Sequence, residues 1–104
     1  MMPTIEEALA YMGIDYADAV VTANANRALA AAVRYIHGSV GEELETYLPN
    51  DARVSELVLI YTDDFYSNRG GDSAKLSNAT RRLVTSTELQ LRLELQRKKE
   101  AASV

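Results

Sequence analysis

In Thr87-Glu88-Leu89-Gln90-Leu91-Arg92-Leu93-Glu94-Leu95-Gln96, leucines at 89, 91, 93 and 95 alternate strictly with polar residues. Alternation is the period of a β-strand, and on that reading the chain carries a short β element near 87–96. Composition argues for helix instead. Leu, Gln, Arg and Glu are helix formers rather than the β-branched and aromatic residues that enrich strands. Glu88 and Arg92, and Glu94 and Lys98, also stand four apart with opposite charge. A helix from Asn78 to about Lys99 makes the chain all-α, a small bundle of four to five helices. Four leucines two apart then cover well over half of the helix circumference, more than one partner helix can bury, so part of this surface is expected to meet another chain.

The elements upstream read as helices as well. Ala52 to Ser67 carries Val54, Leu57, Val58, Tyr61 and Phe65 on one stripe, with Leu59, Ile60 and Tyr66 covering much of the other side. A helix apolar nearly all round belongs at the centre of the bundle or between subunits. Thr4-Ile5-Glu6-Glu7 is a capping box that starts a short helix presenting Ile5, Leu9 and Met12 and stopping at Gly13. Asp15, with Asp18 three residues on, is expected to cap a long alanine-rich helix over 16–40. Its stripe is Leu29, Val33, Ile36 and Val40, and its alanines permit close approach of a neighbour. Gly38 and Gly41 mark its end. Glu42 to Asn50 reads as an acidic connection, with Asn50 or Asp51 capping the helix after it. Asn68-Arg69-Gly70-Gly71-Asp72 reads as a glycine stop followed by a polar loop, with Ser77 the next cap. Arg97-Lys98-Lys99 suits a helix C-terminus, and 98–104 is expected to fray.

The 104 residues carry 11 Lys plus Arg against 15 Asp plus Glu, a formal charge of −4, and 47% hydrophobic residues. That fits a single soluble domain over 1–104, with no membrane span and no leader in the first turn. Zero cysteines exclude disulfides and thiolate chemistry, and one histidine excludes motifs that need two imidazoles. A core of this size is marginal, which favours self-association. The acidic balance disfavours DNA coating.

Few residues suggest chemistry. His37 has no His or Cys companion and reads as a surface or helix-end residue. Asp63, Asp64 and Asp72 read as solvated carboxylates rather than a cation site. Gly70 to Lys75 lacks the ending and preceding strand of a phosphate loop, and Asn78-Ala79-Thr80 is a sequon without an export signal. Arg81-Arg82 and the basic tail read as a solvated face. Nothing assembles a nucleophile, a base and an oxyanion site, so no enzyme, cofactor or metal is expected. A small helical DNA-binding regulatory module is the alternative to an assembly protein.

The order of elements resembles the small head-to-tail connector (adaptor) proteins of tailed bacteriophages and prophages. The likeness begins with Thr-Ile-Glu-Glu-Ala-Leu-Ala-Tyr-Met-Gly-Ile-Asp at 4–15, similar to that family's leading helix and aliphatic-Asp turn. It continues through a long helix with Arg34-Tyr35-Ile36, the ending Phe65-Tyr66-Ser67-Asn68-Arg69, and the late Leu89-Gln90-Leu91-Arg92, covering about residues 2–97. The run Leu91-Arg92-Leu93-Glu94-Leu95 extends farther than the shortest family patterns.

The resemblance implies a non-enzymatic virion subunit at the head-tail junction, present in the host cytoplasm before assembly. On that resemblance the subunit is expected to form a ring of twelve copies, to dock to the portal protein and to receive a downstream neck or tail-completion protein, with DNA passing through without sequence-specific binding. On the same resemblance Tyr66, Asn68 and Arg69 are signature positions, Gln90 and Arg92 are candidates for contacts between subunits or within the chain, and Glu42, Glu43 and Glu45 line the lumen or a rim.

Overall fold

The computed structural model describes residues 2–67 and 78–102. Among the described residues five helices succeed one another: α1 (Ile5–Tyr11), α2 (Ala19–Ser39), α3 (Leu44–Tyr47), α4 (Ala52–Ser67) and α5 (Asn78–Ala102). The described residues contain no strand. The chain is therefore all-α, and the β element considered for 87–96 is replaced by continuous helix. The molecule is elongated, 50 × 28 × 19 Å.

The local signals act largely as their chemistry requires. Thr4 Oγ1 accepts from the Glu7 amide at 3.1 Å and Glu7 Oε1 accepts from the Thr4 amide at 3.0 Å, closing the capping box. Past the end of α1, Gly13 takes φ +75°, where a side chain is strained. The cap of α2 is Asp18, not Asp15. Its backbone is extended and its Oδ1 accepts from the Val21 amide at 2.8 Å, so the helix begins at Ala19 rather than Tyr16. Asp51 caps α4 by accepting from the Arg53 amide at 2.9 Å.

The core sits where α2, α4 and α5 meet. Ala25, Ala28 and Ala32 are buried on α2 along with Ile36, and α2 and α4 lie along one another. Small side chains allow that approach, so the alanines are themselves core. From α4 come Val54, Leu57, Val58 and Tyr61, with Phe65 and Ile60 packed at the margin. Thr62 is buried and donates to the Val58 carbonyl at 2.7 Å, which satisfies its hydroxyl inside the helix. On α1 the fully buried residue is Ala8, while Ile5, Leu9 and Met12 are half-buried.

Two further differences from the sequence reading concern α3 and the end of α5. The acidic connection contains the single turn α3, whose Leu44 is buried together with Leu48. Leucines four apart bring one face of that turn onto the core. The expected fraying from residue 98 is also displaced, because α5 runs to Ala102 and Lys99 Nζ reaches Glu43 Oε1 at 2.9 Å.

Candidate functional site

The chain's distinctive surface lies on α5. Residues two apart on a helix point about 200° from each other, so the alternating leucines separate into two opposed stripes. Leu91 and Leu95 join Val84 and Glu88 on the buried face, at steps of four, three and four. Leu89 and Leu93 form the other stripe, one turn apart, and are 51% and 54% exposed. Leu83, also exposed, lies beside a cleft between α4 and α5 lined by Arg53, Leu57, Ile60, Val84 and Thr87. A second exposed apolar set consists of Tyr16, 83% exposed just ahead of α2, and Val20, 68% exposed in its first turn.

Polar groups fix how α5 sits on the bundle. Arg53 on α4 reaches three ways. Its Nε and Nη2 donate to Asp51, at 3.0 and 2.6 Å, its Nη1 and Nη2 donate to Glu94 at 3.1 and 2.5 Å, and Nη1 approaches Gln90 Oε1 at 3.5 Å. The planar fork suits two carboxylates at once. These hydrogen bonds hold the Asp51 and Glu94 carboxyls below their ordinary values and bind the Arg53 proton more firmly than usual. Deeper in, the Tyr61 hydroxyl donates to Glu88 Oε1 at 2.5 Å, which gives the buried carboxylate a partner. Burial first, and then Glu88, push the Tyr61 hydroxyl above its ordinary value. Tyr61 also packs against Tyr35, with ring centroids 4.6 Å apart, and Phe65 completes the cluster. The helical pairs expected between Glu88 and Arg92 and between Glu94 and Lys98 give way to these longer-range partners.

The residues singled out from sequence separate accordingly. Gln90 lies by Arg53, and Arg92 Nη1 donates to the Ser39 carbonyl at 3.2 Å. A cation at that point answers an open carbonyl at the negative end of α2. Both residues are exposed and hold α5 to their own chain. Tyr66 is half-buried in the last turn of α4, while Asn68 and Arg69 lie outside the described residues. Of the acidic group, Glu43 pairs with Lys99, and Glu45 Oε1 stands 2.7 Å from His37 Nε2 at the end of α2. Glu42 is exposed, and two of the three charges are thus met by nearby side chains of the same chain.

The pair of His37 and Glu45 joins two elements across a turn, and an eight-residue spacing alone carries no signal that the two side chains meet. Asp72, Gly70 to Lys75 and Ser77 lie outside the described residues, as do the side chains of Asn78 and Ala79. Asp63 and Asp64 stand near the end of α4, and burial, then Asp64, push the Asp63 carboxyl up. Among the described residues there is no group of three side chains able to hold a metal ion, and no helix long and apolar enough to cross a membrane. No family model, curated protein or solved structure matches the chain.

Proposed function

We propose that the chain is a structural subunit of a tailed-phage virion, forming with its own copies the connector ring between the portal and the neck or tail-completion protein. The exposed leucines of α5 carry this reading: a helix that buries Leu91 and Leu95 and leaves Leu89 and Leu93 in water has an apolar face that assembly would cover. A ring needs two different surfaces on each subunit, because head-to-tail contacts close only when unlike patches meet. The leucines of α5, and Tyr16 and Val20 at the entry to α2, supply two such patches. The sequence resemblance to connector proteins supports the same reading.

In that assembly, Glu42 is the acid with the greatest freedom to face passing DNA, since Glu43 and Glu45 already have basic partners. A like charge on a channel wall lets the phosphate backbone slide without adhering.

The test is light scattering coupled to size exclusion over a wide range of protein concentration, with and without the portal protein encoded in the same genome. Assembly onto the portal is the expected outcome. A chain that ignores portal at high concentration, and instead binds duplex oligonucleotide with steep salt dependence, would be a DNA-binding module and would end the connector reading.

A further inference from the structure

The outer face of α5 has a self-complementary order. Arg82, Ser86, Leu89, Leu93, Gln96 and Glu100 succeed one another at steps of four, three, four, three and four, the spacing of a two-helix seam with leucine at its two middle positions and polar residues at the other four, and all six are exposed. The order is symmetric about Leu91. Turned end for end, the stripe sets Leu89 against Leu93, Ser86 against Gln96 and Arg82 against Glu100 of a second copy. Leu91 itself points the opposite way, into its own core.

We propose that α5 pairs with α5 of a second copy in an antiparallel two-fold contact centred at Leu91. Apolar side chains meet at the middle, hydroxyl and amide flank them, and an arginine faces a carboxylate at both ends. A parallel pair would instead oppose arginine to arginine and glutamate to glutamate, so charge selects the direction. Glu100 accepts from Gln96 of its own helix at 3.0 Å, and a carboxylate's two oxygens can take more than one donor. Arg92 flanks the seam, and its guanidinium is turned onto the Ser39 carbonyl, which keeps it from meeting its counterpart. The contact is isologous and closes at two copies. It covers the same Leu89 and Leu93 stripe that the ring contact of the connector reading uses, so the two contacts exclude one another: the pair is a state of the free chain, tested on the isolated protein, and docking into a ring would replace it.

Sedimentation of the full chain over a range of concentration should give a monomer–dimer equilibrium limited at two copies. Arg82→Glu alone and Glu100→Arg alone each weaken association by about tenfold, since each reversal creates two like-charged ends. An equimolar mixture of the two variants recovers it, because every end is then oppositely charged. The chain contains no cysteine, so engineered thiols report cleanly.

Ser86→Cys mixed with Gln96→Cys forms a disulfide between the two variants. Ser86→Cys alone does not, because the two copies of residue 86 stand roughly 15 Å apart along the axis. Unchanged far-ultraviolet dichroism shows that each variant remains folded. A wild type that stays monomeric, a limiting mass above two copies, or ready cross-linking of Ser86→Cys with itself overturns the proposal.

Discussion

Tyr61 and Glu88 form the deepest polar contact between α4 and α5, 27 positions apart in the chain. Replacing Tyr61 with Phe removes the donor and leaves a buried carboxylate without it, an expected loss of about 1–3 kcal/mol by chemical denaturation. The raised hydroxyl also sets a pH dependence. The unfolded tyrosine ionises near its ordinary value of 10.0, while the folded one holds its proton to higher pH. Its contribution is therefore complete below about 10 and is lost as pH rises above that value. Tyr61→Phe should show a shallower alkaline decline in melting temperature than wild type.

The acid side has the opposite sign. Asp51 and Glu94 are held by Arg53 below ordinary values of 3.8 and 4.5, so their contribution is present above those values and fades as pH falls beneath them. Arg53→Ala should melt lower than wild type at neutral pH, with the difference narrowing below about pH 4 when thermal unfolding is tracked by dichroism.

At the scale of elements, two neighbouring glycines predict opposite outcomes. Gly38 lies within the last turn of α2 with open space around an added Cβ, so Gly38→Ala should stabilise by about 0.5–1 kcal/mol through helix propensity and a less flexible unfolded chain. Gly41 has φ +153° and an added Cβ would collide with Leu95 Cδ2, so Gly41→Ala should cost about 1–3 kcal/mol. Denaturant titration of both variants beside wild type checks the pair. The same distinction bears on what the sequence makes legible. Capping chemistry and long stripes are local, and they locate α1, the bounds of α4 and the helical character of α5. The single turn α3 escapes because two leucines, Leu44 and Leu48, are too short a run to establish a period. The alanines of α2 signal a close helix approach, but Ala8 on α1 escapes because alanine is equally at home on a helix surface and in a tight helix crossing. Arg53 and Glu94 escape because they are 41 positions apart, and nothing in either neighbourhood names the other.

For the whole molecule, folding and association should separate along one helix, because the alternation that mimicked a strand places neighbouring leucines in different environments. Leu91 is fully buried, and Leu91→Ala should cost about 2–5 kcal/mol as lost burial and a cavity at the centre of the bundle. Leu93, two residues on, is 54% exposed, and Leu93→Ala should leave monomer stability within about 0.5 kcal/mol while weakening any assembly that uses the outer face. Urea unfolding at low concentration measures the first effect, and light scattering at high concentration measures the second. If both substitutions destabilised the monomer equally, the outer leucines would belong to the chain's own core, and neither pairing through α5 nor a ring would be needed to cover them.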